Sequence, residues 1–250
     1  MTDAAIQDSK FNPTVLLWPD PDDSTLDVLE DRGYESVSLD NFDALPRTVD
    51  ELAAEHSTKA SAVLVDPIAA PITRRGLRIL RGAAINAGLP IVVTAGIGGG
   101  PAETPQGPDP SLLLQALTPP AVSLPRVLLI EARDDLAEAM THSLERQGMQ
   151  VLLASTDAES IGRASDGVPD VVLMDLMQVR RRRTGIVEWL RDHERLTTTP
   201  IVVYTALGTD SAQFATGLRS GEGVLYLAER STDPEVGNRI GDLLAKICFN

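Results

Sequence analysis

Two aspartates close apolar runs of β-forming residues. Val171-Val172-Leu173-Met174 leads into Asp175, and Ala62-Val63-Leu64-Val65 leads into Asp66. A short continuous apolar run reads as a strand buried on both faces, and α/β folds keep their chemistry at the carboxyl ends of such strands. An acid delivered there either takes part in that chemistry or, more plainly, caps a nearby backbone N–H. Glu131 closes another such run, Val127-Leu128-Leu129-Ile130, and Thr205 closes Ile201-Val202-Val203-Tyr204. If these strands lie side by side in a parallel sheet, Glu131, Asp175 and Thr205 converge at one rim although they are distant along the chain.

The elements that position these residues recur in order. A strand at 15–18 breaks at Pro19-Asp20-Pro21, and a helix at 24–32 turns Leu26 and Leu29 inward and stops at Gly33. A strand at 36–39 follows. Thr48-Val49-Asp50-Glu51 has the capping-box form and predicts a helix from Thr48 to His56. The strand ending at Asp66, a helix at 75–87 and a strand at 89–94 complete this half. Residues 96–110 hold five Gly and four Pro, the composition of a loop or flexible segment, and 111–117 is a short helix.

The second half repeats the scheme with one more helix and one more strand. Strands are predicted at 127–131, 150–154, 171–175, 200–205 and 224–227. Helices are predicted over Leu136, Met140 and Leu144, after the capping box Thr156-Asp157-Ala158-Glu159, and at 185–193 and 209–220. Val236, Ile240, Leu243, Leu244 and Ile247 give a last amphipathic helix. Three landmarks keep nearly one spacing between the halves: Val15 and Val127 are 112 residues apart, Asp66 and Asp175 109, Pro90 and Pro200 110. The prediction is an α/β protein of two (βα)5-type units in series, the first truncated. A disordered start (1–13), a first unit (14–118), a linker (119–125) and a second unit (126–250) follow from it.

The 36 acidic and 22 basic side chains leave a formal charge of −14, a surface that repels nucleic-acid phosphates. Cys248, the single cysteine, excludes an internal disulfide. No apolar run reaches the roughly 18 residues of a membrane span, and no basic-then-apolar leader opens the chain, so a cytoplasmic protein is expected. His56, His142 and His193 share no spacing that would make them a metal or relay set, and the Gly-rich run at 96–100 is followed by Pro101, not by a helix that would cradle phosphate.

The second half resembles the CheY-like receiver domain of two-component response regulators, and the first half a degenerate copy of it. The resemblance rests on Asp175 at its strand end, Glu131 after the first strand of the half and the Thr205-Ala206 pair. It implies flavodoxin-like three-layer units with central parallel sheets. It also implies phosphorylation at Asp175 by a histidine kinase or phosphotransfer protein, with Thr205 bonding the phosphoryl oxygens. Mg²⁺ would be held by Glu131, Asp175 and the Met177 carbonyl, and in the first half, where Asp66 keeps the acceptor place, by Asp20 and Asp66.

Two positions of the second half depart from the pattern. Ala132 replaces the second metal-binding acid, and Glu229 stands where a lysine would pair with the phosphoryl group. Losing a cation at ~4 Å forfeits up to about 4 kcal/mol at an effective dielectric near 20. Arg230, or the run Arg180-Arg181-Arg182-Arg183, could supply that charge. In the first half Pro19 replaces the first acid and Thr94 arrives one residue early.

The resemblance thus implies a tandem-receiver signalling protein without an effector domain, not an enzyme, acting on a downstream protein target or pairing with itself. Two alternatives stay open: a phosphorylation-independent pseudo-receiver scaffold or dimerisation adaptor, and a flavodoxin-like binder of nucleotide or flavin. The last would need a Gly-rich turn after a first strand, which neither 19–22 nor 132–135 contains.

Overall fold

The computed structural model describes residues 12–55, 59–70, 72–101, 107–120, 124–180, 184–205, 211–228, 231 and 233–248. The first half runs β1 (Thr14–Leu17), α1 (Asp23–Asp31), β2 (Glu35–Ser38), α2 (Leu45–Glu55), β3 (Ala60–Val65), α3 (Arg74–Asn86), β4 (Ile91–Pro101) and α4 (Pro110–Leu117). The second half runs β5 (Arg126–Ile130), α5 (Asp134–Arg146), β6 (Gln150–Ala154), α6 (Asp157–Asp166), β7 (Val171–Asp175), α7 (Ile186–Asp192), β8 (Ile201–Thr205), α8 (Ser211–Ser220), β9 (Gly223–Ala228) and α9 (Pro234–Cys248). A 3-10 turn, Leu176–Gln178, follows β7.

The α/β class and the parallel strands are as expected, but the halves do not keep separate sheets. The strands join in the order β2-β1-β3-β4-β8-β7-β5-β6, and β9 pairs with β4. Each half has the same internal order, and the two meet fourth strand to fourth strand, with Val92 to Gly96 of β4 in parallel register with Ile201 to Thr205 of β8. The reason is an edge. The first half has no fifth strand, so β4 would otherwise expose a row of unpaired N–H and C=O groups, and β8 supplies their partners.

Because equivalent strands run the same way on either side of the joint, the halves are related by a rotation about an axis along the strands. That rotation turns one half over, so α1 shares a face with α6 and α7 while α5 shares the other with α2 and α3; α4 and α8, which follow the two fourth strands, lie on the same face. One core cluster gathers Leu45 of α2, Leu77 of α3, Leu114 of α4, Leu136 of α5 and Leu218 of α8. The other gathers Leu29 of α1, Ala164 of α6, Leu190 of α7 and Ile240 of α9. Both clusters cross the joint.

The glycine-rich run departs from its expected loop. It extends β4 past the sheet as a strand through Pro101, with Gly96 to Pro101 antiparallel to Ala228 to Gly223 of β9. Glycine is needed because large rings fill the space its side chains would take: a Cβ at Gly99 would lie 2.0 Å from the Phe214 ring, and one at Gly98 2.9 Å from that of Tyr226. Composition marks this stretch as a loop or flexible segment, and close packing of neighbouring aromatics makes it a strand.

Helix α9 is the other element that belongs to both halves. Val236, Ile240, Leu243 and Leu244 are fully buried, and the helix packs on α1 and β3 of the first half and on α7 and the turn after β7 of the second. Arg32, at the C-cap of α1, bonds Asp242 at 2.8 Å and the Asn238 carbonyl at 2.9 Å. Gly241 makes room for that side chain, since a Cβ there would collide with Arg32 Nε and Cδ. On the other flank Lys246 pairs with Glu188 of α7.

Local chemistry accounts for several helix starts. Asp22 caps α1 by accepting from Thr25 N, and Thr156 caps α6 by accepting from Glu159 N. The box expected at Thr48 is not a start: α2 begins at Leu45, and Thr48 Oγ1 donates back to the Ala44 carbonyl from within the helix. The expected disordered start lies outside the described residues up to residue 11, and the Pro13 carbonyl already accepts from Glu35 N. No helix among the described residues is long and apolar enough to cross a membrane.

Truncating Leu244 to alanine should cost about 2–5 kcal/mol, as for other buried leucines. Since its cluster spans the joint, single-tryptophan variants keeping Trp18 (first half) or Trp189 (second half) should report coincident unfolding transitions in urea, shifted together by the mutation.

Candidate functional site

The three expected residues do meet. β5, β7 and β8 are consecutive in register, with Ile130 beside Met174 and Asp175 beside Tyr204. Glu131 is therefore next to Asp175 at the carboxyl rim, and Thr205 lies one residue beyond Tyr204. All three are buried, at 1%, 8% and 4% exposure. Among the described residues no hydrogen bond joins the Thr205 and Asp175 side chains.

What organises the rim is a residue that the sequence pattern passes over. Arg133, two positions after Glu131, folds its guanidinium back between the two acids. Its Nε donates to Glu131 Oε1 and its Nη2 to Glu131 Oε2, both at 2.9 Å, while its backbone N also donates to Oε1. The same Nη2 lies 3.5 Å from Asp175 Oδ2. Asp175 Oδ1 accepts from Met177 N at 3.0 Å, which caps the 3-10 turn. Tyr204, fully buried, donates its hydroxyl to Glu131 Oε2 at 2.7 Å. The signals for these two were faint: an arginine just past the alanine in the second-acid place, and a phenol in an otherwise aliphatic strand.

The charges follow from this geometry. Burial works to raise the Glu131 pKa, but the bonds from Arg133 and Tyr204 prevail and hold it below the usual carboxylate range. Asp175 goes the other way: burial, then the nearby Glu131 charge, push it up against the Met177 N–H and the fields of Arg133 and Arg239. The Tyr204 phenol is pushed well up by burial and by Glu131. Arg239, on α9, reaches the turn itself, donating to the Val179 carbonyl at 2.6 Å and pairing with Glu235 at 3.1 Å.

The first half gathers less. Asp66 is buried and accepts from Ile68 N at 3.1 Å, with its pKa raised by burial. Asp20 is exposed at the turn after β1, and Thr94 is buried on β4 with a hydroxyl lacking a partner. Ala206, Arg181 to Arg183, Glu229 and Arg230 lie outside the described residues, and Arg180 is exposed.

A divalent ion does not fit this arrangement. A guanidinium stands between Glu131 and Asp175, Ala132 offers no ligand, and among the described residues no group of three or more His, Cys, Asp or Glu is placed to hold a metal.

No family model matches the chain. Over 123 residues it is 28% identical to the transcriptional regulatory protein GltR of Pseudomonas aeruginosa, covering 49% of this chain and 50% of that protein. The chain thus spans about half the length of this curated relative. Among solved structures it is similar to the chemotaxis response regulator CheY4 of Vibrio cholerae, with 15% identity over 39% of this chain and 98% of that one, at a TM-score of 0.30. It is also similar to a response regulator protein from Burkholderia multivorans, with 26% identity over 45% and 88% of the two chains, at a TM-score of 0.28.

Replacing Glu131 by Gln should destabilise the protein by about 2 kcal/mol at pH 7, less than for a fully buried pair because Arg133 is partly exposed. A carboxylate held below its ordinary pKa stabilises above that ordinary value, and this is lost as pH falls through the lowered one. The difference between wild type and Glu131→Gln in urea midpoints should therefore shrink towards acid pH. Asp175→Asn should behave oppositely: the raised Asp175 pKa means its ionisation opposes folding, so the substitution should gain in relative stability as pH rises.

Proposed function

We propose that this chain is a two-component signalling protein of two receiver-like units, about 14–118 and 126–250 joined by 119–125, that works as a phosphorylation-independent adaptor. It docks a histidine kinase or phosphotransfer protein, and a downstream protein target, through a surface held in one arrangement. The observation that carries this reading is the place of β4. It fills the flank of β8 where a receiver's fifth strand would bring its lysine, and β9 is turned antiparallel on the far side of β4. Thr205 is then tied into the ladder opposite Gly96, so the inward movement that an acyl phosphate would ask of it works against paired backbone. The phosphoryl group would also add about two negative charges beside Glu131. The likeness to GltR over about half of each chain supports the signalling class.

A second reading has its own observation: Asp175, Glu131 and Thr205 at one rim, with the Arg133 cation 3.5 Å from Asp175 Oδ2, support phosphoryl acceptance at Asp175. Intact-protein mass spectrometry after incubation with acetyl phosphate and Mg²⁺ separates the two. The adaptor reading expects no added phosphoryl mass and an unchanged oligomeric state in Asp175→Asn. A phosphoryl gain that Asp175→Asn abolishes would refute it in favour of the second.

A further inference from the structure

The bonds to Glu131 use its carboxylate completely. A carboxylate offers about four lone-pair sites, two on each oxygen. Oε1 accepts from Arg133 N and Nε, and Oε2 accepts from Arg133 Nη2 and the Tyr204 hydroxyl. Nothing remains for a metal ion. On the Asp175 side, Oδ1 is engaged by Met177 N, and Oδ2 faces the guanidinium. Three of the four groups on Glu131 come from one residue, and that residue also carries the only positive charge touching both acids among the described residues. The Glu131 side chain is 0% exposed, so its charge has no water to compensate it and depends on that partner.

We propose that Arg133 is the resident cation of this rim: its guanidinium takes the place between Glu131 and Asp175 that a divalent ion would otherwise fill, so that the site is folded and charge-balanced without metal. The planar fork suits the task, because it spans both Glu131 oxygens and still directs one nitrogen at Asp175. The inference is independent of whether Asp175 accepts a phosphoryl group, since it concerns what holds the two acids together beforehand. It carries a converse. Removing the guanidinium leaves two buried acids side by side, and placing a third carboxylate there supplies the set of oxygens that a hard cation such as Mg²⁺ prefers.

The test is thermal melting and calorimetric titration with Mg²⁺ on the full chain. Wild type should show neither a shift in Tm nor binding heat at millimolar Mg²⁺. Arg133→Ala should lose roughly 5–10 °C in Tm as an unpaired buried carboxylate is exposed to its neighbour, and Arg133→Lys should fall between the two. Arg133→Asp should be destabilised in EDTA and recover several degrees on adding Mg²⁺, through a site that Asp175→Asn abolishes. Millimolar binding of Mg²⁺ by wild type that is lost in Asp175→Asn would overturn the proposal. So would an Arg133→Ala protein with the wild-type Tm, or an Arg133→Asp protein that folds yet ignores Mg²⁺. Should the variants fail to fold, the wild-type titration alone decides. A phosphoryl gain at Asp175 with no Mg²⁺ binding would end the adaptor reading and leave this one standing.

Discussion

The parallel ladder between β4 and β8 is the constraint on which the rest of the molecule depends. Five residues of each strand pair across it, and through them two four-stranded sheets become one. Joining like strand to like strand requires one half to be turned over, and the helices follow. Both core clusters cross the seam, and a helix from the end of the chain settles against the first half as much as the second. Had β8 paired with its own fifth strand, as a separate unit would demand, β4 would be left as an open edge and α9 would have no reason to bury Val236 and Ile240 against α1 and β3.

The same joint shapes the functional rim. It puts the glycine-rich end of β4 beside Thr205 and leaves β9 antiparallel on the other side of β4, so that β4 and not β9 flanks β8. The positive charge at the acids comes from Arg133 on one side, with Arg239 of α9 bound to the turn that follows Asp175. That turn is thus fastened to a helix that Arg32 and Asp242 fasten in turn to the first half. Hydrogen bonds that are each at least partly buried link the turn after Asp175, through α9, to the end of α1.

Much of this was legible in the residues. Apolar runs ending in Glu131, Asp175 and Thr205 place those side chains at strand ends because a parallel strand buried on both faces needs such runs, and the spacing of Asp66 to Asp175 and Pro90 to Pro200 exposes the repeat. Caps such as Thr156 and stops such as Gly33 and Gly148, both at positive φ, act within a few residues and so can be read locally. Arg133 was not legible in this way. Its position in the chain says only that it is near Glu131, and whether its side chain turns inward depends on Tyr204 and Asp175 arriving from other strands.

The sequence by itself therefore determined the α/β class, the order and type of nearly every element and the convergence of three polar residues at one rim, because each rests on periodicity and short-range chemistry. Only the tertiary structure decided how the halves are joined, that residues 96–101 are a strand and that a guanidinium lies between the acids. Strand partners far apart in sequence are chosen by which edges remain unpaired and which side chains fill the space beside them, and Phe214, Tyr226 and Gly99 acquire that meaning only once they are packed together.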